Sequence, residues 1–243
     1  GIALSYYLAR RTLAPIEAAI EAQTQFISDA SHEIRTPLTA LQTSNEVALR
    51  KKTFSESKAR DVFGKNIVEI EKLRGLADAL LSLAKTDHVG DSKQAIELDE
   101  FLSEIVQRVQ PLADKKGCAI SIETSTQNVV ANAVALEQIV TILLDNAIKY
   151  SPETSQIYLT SKLQSNKTVI SVQDYGVGIG RDDLPHVFDR FYRADSARTR
   201  TDTSGHGLGL AIAKQLADRY DYELLCRSEI NKGSTFEIWI GKN

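Results

Sequence analysis

The chain has 243 residues, 42% hydrophobic and 25% charged, an ordinary globular balance with room for one large domain or two modest ones. A formal net charge of -3 argues against a nucleic-acid partner. Cys118 and Cys226 lie far apart, and His32, His88, His186 and His206 do not cluster with them, which argues against a disulfide framework and a zinc site.

The sequence contains no methionine and reads as starting inside a longer protein. Its first residues, Gly1 to Ala9, are apolar with Tyr6 and Tyr7, and Arg10 and Arg11 follow. A membrane-spanning helix needs about 20 apolar residues, so this stretch is too short to span. Interfacial tyrosines and a positive flank suit the cytoplasmic end of a spanning helix. Residues 1–13 are therefore expected to be a juxtamembrane segment on the cytoplasmic face of the membrane; an amphipathic helix start is the plainer alternative.

From Pro15 to Arg50, apolar residues recur at Ile16, Ile20, Ile27, Ala30, Ile34, Leu38, Leu41 and Ala48, in steps of three, four and seven that predict a helix. Pro37 lacks an N–H and crowds the preceding turn, so a kink is expected there. A second helix is expected from Ser55 to Lys85, with Val62, Ile67, Ile70, Leu73, Ala77 and Leu81 on one side. The connection Lys51 to Ser55 is short enough to force an antiparallel hairpin. One hairpin buries too little apolar surface, so two are expected to pair as a four-helix bundle in a homodimer.

Asp87 to Lys93 is polar and holds Gly90, and reads as a linker. Beyond it the period changes. Leu98–Ala113, Ala135–Tyr150 and Leu208–Tyr220 read as helices, while Ala119–Ile122, Gln156–Leu159, Thr168–Val172, Glu223–Cys226 and Ser234–Ile240 read as strands. This order fits a mixed sheet covered by helices on one face, and the fold class is α+β. The expected division is 1–13 juxtamembrane, 14–87 helical, 88–94 linker and 95–243 mixed.

Four segments carry the chemistry. Ser31-His32-Glu33-Ile34-Arg35-Thr36-Pro37-Leu38 places His32 about 200° around the helix from Ala30 and Ile34, away from the apolar stripe. Asp145-Asn146-Ala147-Ile148-Lys149-Tyr150 ends a helix with an amide oxygen suited to a hard cation, a point charge for a phosphate and an aromatic face. Asp174-Tyr175-Gly176-Val177-Gly178-Ile179 follows a strand, giving a carboxylate acceptor for a base amino group and glycines that admit close backbone approach. Gly205-His206-Gly207-Leu208-Gly209-Leu210 opens a helix, whose free N–H groups suit phosphate oxygens.

In set and order these segments resemble the sensor histidine kinases of two-component signalling, from about Ala14 to Trp239. The resemblance implies a dimerisation and phosphotransfer domain, then an ATP-binding domain of the Bergerat type shared with gyrase, heat-shock protein 90 and mismatch-repair ATPases. It implies ATP-dependent phosphorylation of His32 and transfer to an aspartate on the receiver domain of a response regulator. It gives Glu33 two readings, general base or holder of the other ring nitrogen, and makes Thr36 the residue that positions water for regulator dephosphorylation. Asn146, Lys149, Tyr150, Asp174, Gly176, Gly178, Ile179, Gly205, Gly207, Leu208 and Gly209 would hold ATP, and Asn146 would ligate Mg²⁺. Phe188-Asp189-Arg190-Phe191-Tyr192-Arg193 resembles the family's phenylalanine box, with Arg193 a contact to the terminal phosphate. Ala194 to Ser204 is polar and is expected to order only on ATP binding. His206 reads as a spacer between glycines. One departure stands out: Ile142 occupies a position where the family often has a second asparagine. A Bergerat ATPase of another class, and a nucleotide-binding module that acts mainly as a dimeric scaffold or a response-regulator phosphatase, are the rival readings.

Overall fold

The computed structural model describes residues 2–50, 55–85, 92–125, 128–193 and 205–241. The hairpin connection at 51–54, most of the expected linker and the polar stretch 194–204 lie outside the described residues. The chain divides into two compact units, Gly1–Ala77 and Asp78–Asn243.

The first unit is built on α1 (Ile2–Arg50) and the greater part of α2 (Glu56–Lys85). Helix α1 starts well before Pro15, because the residues ahead of it are largely Ala, Leu and Arg, which favour helix. It runs through Pro37 without a break, and the Pro37 ring is buried. The less exposed residues of α1, including Phe26, Ala30, Glu33, Pro37, Leu41 and Ser44, recur at three- and four-residue steps. Ala59, Val62, Asn66, Glu69 and Leu73 do the same on α2. A hydrogen bond ties the two helices, from Asn66 Nδ2 to Asn45 Oδ1 at 2.9 Å. A polar pair of this kind fixes which turns of a hairpin face each other, since a slip leaves both amides without their partner.

Among the described residues a second apolar stripe is exposed. Leu13, Ile20, Ile27 and Ile34 repeat at seven-residue intervals on α1, each more than a third exposed, and Phe63, Ile67 and Ile70 do so at steps of four and three on α2. Among the described residues no helix is long and apolar enough to cross a membrane.

The second unit holds a five-stranded sheet in the order β2-β4-β5-β7-β6. The strands are β2 (Ala119–Thr124), β4 (Gln156–Gln164), β5 (Lys167–Gln173), β6 (Tyr222–Glu229) and β7 (Gly233–Gly241). Strand β2 runs parallel to β4 and the other neighbours are antiparallel. Helices α3 (Leu98–Lys116), α4 (Ala133–Tyr150) and α5 (Gly209–Arg219) pack side by side, with α4 central and touching both others. The register aligns Ile170, Ile238 and Leu224 in one cross-strand row, all buried. Leu136, Ile139, Val140, Leu143 and Leu144 of α4 are completely buried as well, each such side chain contributing roughly 1.5–3 kcal/mol of transfer free energy.

Caps fix the helix ends that matter for the site. Glu97 accepts the N–H of Glu100 at the start of α3, and buried Asn132 accepts that of Ala135 at the start of α4. Gly117 ends α3 in the left-handed conformation, three residues later than the sequence reading placed its end. Two short strands were not foreseen: β1 (Gln94–Glu97) pairs antiparallel with β3 (Asn128–Ala131). Gln94, read as the last linker residue, is the first residue of β1.

Candidate active site

The second unit carries a cavity walled by residues from distant parts of the sequence. Asn146 and Tyr150 come from α4, Asp174, Val177, Gly178 and Ile179 from the segment after β5, and Ser234 and Phe236 from β7. A wider cleft adjoins it and shares Asn146, Tyr150, Val187, Tyr192 and Leu210; Lys149, Gly205, Gly207 and Gly209 line that cleft.

Asp174 is the polar centre of the inner cavity and is only 5% exposed. Its Oδ1 accepts the N–H of Gly176 at 2.7 Å and that of Ser234 at 3.3 Å, while its own N–H donates to Ser234 O. Among the described residues nothing donates to Oδ2, so this oxygen is available to a ligand donor. Burial raises the carboxyl pKa above its ordinary value, and the two backbone hydrogen bonds pull it back down.

The glycines after β5 are required by contact. A Cβ on Gly176 would stand 2.5 Å from Tyr150 O. Gly178 has φ +68° and faces the Glu229 carbonyl, where any side chain would collide. Ser228 Oγ then accepts the Ile179 N–H at 2.8 Å, anchoring the loop's far end to β6.

On the other side, α5 begins at Gly209 with no side chain capping its first turn. Its N-terminal amides therefore keep their donor capacity, at the positive end of the helix dipole. Gly207, at φ +69°, lies against the backbone of Phe191 and Tyr192, and the Phe191 N–H donates to Gly207 O at 2.9 Å. The phenylalanine box is thereby tied to the start of α5, and Tyr192 is held by a hydroxyl bond to Asp183.

Lys149 lies against Gly205, its Nζ occupying the space a Cβ there would take, and its ammonium stands 5.3 Å from the centre of the Tyr150 ring. Burial, then the Arg193 guanidinium and also Lys116, lower its pKa to about 8, against an upward pull from Asp145. The result is a cationic cluster beside an uncapped helix start, an arrangement suited to phosphate. The Asn146 amide makes no hydrogen bond among the described residues and lines both cavities, so its oxygen is available to a hard cation. No group of three or more His, Cys, Asp or Glu side chains suited to a metal occurs among the described residues. Ile142 lines the wide cleft, and its Cγ2 lies in contact range of the space above Gly209. Cys226 sits in register with Phe236; burial, then the Asp174 charge, raise its pKa to about 12 and keep it a thiol.

In the first unit His32 is exposed on α1, as the helical spacing required. Glu33 is only half-exposed, on the stripe with Pro37. The Thr36 hydroxyl donates to the His32 carbonyl at 3.2 Å, one turn back along the helix.

The structure gathers Asn146, Lys149, Tyr150, Asp174, Gly178, Ile179, Arg193, Gly205, Gly207 and Gly209 around the two connected spaces. Gly176 and Leu208 do not line them; Gly176 serves by close approach, and Leu208 is buried at the start of α5. The sequence reading missed Val187, Ser234 and Phe236 on the inner wall and Lys115 and Lys116 in the cleft. Only the strand pairing of β5 with β7, or a count of cations near the end of α3, offered any signal for them.

Residues 22–89 match the model of the His Kinase A (phospho-acceptor) domain, and residues 131–243 match that of the histidine kinase-, DNA gyrase B- and HSP90-like ATPases. Sensor protein CiaH of Streptococcus pneumoniae serotype 4 is 32% identical over 237 residues, 97% of this chain and 53% of the relative. Signal transduction histidine-protein kinase ArlS of Staphylococcus aureus strain USA300 is 30% identical over 228 residues, 93% of this chain and 50% of the relative. The chain thus spans about half the length of these curated relatives. Histidine kinase ThkA, solved in complex with response regulator protein TrrA, shares the fold with a TM-score of 0.74, covering 98% of this chain and 66% of that one at 18% identity. A phospho-acceptor helical domain followed by an ATPase domain of this type defines a histidine kinase core. The chain belongs to the sensor histidine kinases of two-component signalling.

Proposed function

We propose that this chain is the catalytic core of a membrane-anchored sensor kinase that uses ATP to phosphorylate its own His32 and passes the phosphoryl group to an aspartate of a response regulator. The observation that carries the reading is an exposed His32 within a complete phospho-acceptor box, on the same chain as a cavity with one acceptor oxygen of Asp174 at one side and an uncapped helix start at the other.

In this reading Asp174 Oδ2 accepts the amino group of adenine, while Val177, Ile179 and Phe236 enclose the ring. Lys149 and the amides from Gly207 to Leu210 hold the phosphates, and Tyr150 closes their flank. Arg193 stabilises charge on the transferring phosphoryl group. Mg²⁺ neutralises the phosphates when bound, and Asn146 offers it an amide oxygen. The attacking nitrogen of His32 must be unprotonated, and Glu33 serves either by accepting its proton or by holding the other nitrogen's N–H. Thr36, one turn along, positions water when the regulator is dephosphorylated. The uncovered heptad stripe on α1 and α2 supports a homodimer, since apolar side chains at this period close into a four-helix bundle. The proposed boundaries are 1–13 juxtamembrane, 14–87 dimerisation and phosphotransfer, 88–94 linker and 95–243 catalytic. The complex of ThkA with response regulator protein TrrA supports a response regulator as partner here. Transfer of label from γ-labelled ATP to the chain, with His32→Ala as control, tests the reading.

A further inference from the structure

At the end of α4, where Lys149 and Tyr150 sit, the last carbonyls each meet a specific group. Ala147 O accepts the Ser151 N–H at 3.1 Å, and Tyr150 O lies against Gly176. The two between them are held by a residue from another helix: Lys116 Nζ lies 2.7 Å from Ile148 O and 2.6 Å from Lys149 O. Lys116 is the final residue of α3, half-buried, and Gly117 turns the chain immediately after it. One ammonium thus caps the helix that delivers Asn146, Lys149 and Tyr150 to the cleft, at the negative end of its dipole.

The geometry points to Lys116 as a positioning residue for nucleotide phosphates: by holding the last turn of α4 it sets where the Lys149 ammonium stands. This rests on the proposed ATP-binding reading. Two adjacent carbonyls facing a polar cleft accept water when the ammonium is gone, so the fold survives its loss. What goes is the rigidity of the turn that aims Lys149, because water does not tie α4 to α3. Asp174, Val177, Ile179 and Phe236, which would hold the adenine, lie on other elements, so the adenine end of the site feels the loss of the cap less than the phosphate end. Lys116 also lines the cleft, and a direct contact with phosphate makes a different forecast. If Lys116 acts through Lys149, removing both costs no more than removing Lys149 alone.

The experiment measures dissociation constants for ATP and adenosine in the full chain and in the Lys116→Met, Lys149→Met and doubly substituted chains. Lys116→Met is expected to weaken ATP about tenfold, the scale of one or two lost charge-assisted bonds. Adenosine binding is expected to stay within about twofold, and the double variant is expected to match Lys149→Met. Equal losses for ATP and adenosine, unchanged ATP binding in Lys116→Met, or fully additive losses in the double variant would each overturn the inference. If the unsubstituted chain binds adenosine and ATP in none of these assays, the nucleotide reading falls and this inference falls with it.

Discussion

Asp174 Oδ1 accepts the backbone N–H of Gly176 at 2.7 Å, and this bond divides the carboxylate's work between its two oxygens. One oxygen shapes the glycine turn, while the other is left for the ligand. The same aspartate therefore builds its own loop and, in the proposed reading, recognises the base that enters the cavity.

Asp174→Asn keeps an oxygen for the two backbone donors but turns an NH₂ group toward the ligand. Two donors then face each other where an acceptor met an amino group. ATP affinity is expected to fall by roughly 1.5–3 kcal/mol, ten- to a hundredfold. A nucleotide with a 6-oxo group in place of the amino group is expected to lose less. Titration calorimetry with the two nucleotides measures this directly; equal losses would mean that Oδ2 does not read the base edge.

Gly178→Ala drives a methyl group into the Glu229 carbonyl at a left-handed φ of +68°. The expected cost is about 1–3 kcal/mol, a Tm lower by roughly 3–10 °C. ATP binding is expected to weaken with it, because the loop that moves carries Ile179. Thermal melts with and without ATP report both effects.

Lys149 titrates near pH 8, below the ordinary 10.5 of a lysine. Below about pH 8 the ammonium is charged in the folded and unfolded chains alike, and its burial cost is fully present. Between about 8 and 10.5 the unfolded chain keeps the proton that the folded chain has released, so this group makes stability rise with pH there. An anionic ligand favours the charged form and draws the proton back. ATP binding at pH 8–9 is therefore expected to take up a proton, seen as a binding enthalpy that changes with the buffer's ionisation enthalpy. Lys149→Arg is expected to abolish that dependence, since arginine stays charged throughout.

Ile67 is 56% exposed on α2, in the stripe with Phe63 and Ile70. Ile67→Glu places a charge where the proposed dimer buries an apolar side chain, at a cost of several kcal/mol per dimer, on the order of twice the transfer value of one isoleucine. Sedimentation velocity at micromolar concentration is expected to show a dimer for the unsubstituted chain and a monomer for the variant.

Much of this was legible in the residues. The three- and four-residue spacing from Ile16 to Ala48 gave α1, and alternation gave the five strands of the large sheet, because period is a local property that the chain displays in order. The exposure of His32 followed from its offset from Ala30 and Ile34. Other parts were not legible for equally physical reasons. Gln94–Glu97 and Asn128–Ala131 are too short to show a period, and each is a strand only because the other pairs with it. Ser234 and Phe236 reach the cavity because β7 lies antiparallel to β5, which aligns Gln173 with Thr235 next to Asp174. Lys116 reads as one of two lysines before a glycine until α3 and α4 are packed together. Such residues act across the fold, and sequence order carries no measure of that distance.

The most direct test of the central claim is incubation of the chain with γ-labelled ATP and Mg²⁺, alongside His32→Ala, followed by acid and base treatment of the product. The expected result is label that acid removes, base leaves in place and His32→Ala lacks. A His32→Ala chain that takes up the same label, or an unsubstituted chain that binds ATP and takes up none, would contradict it.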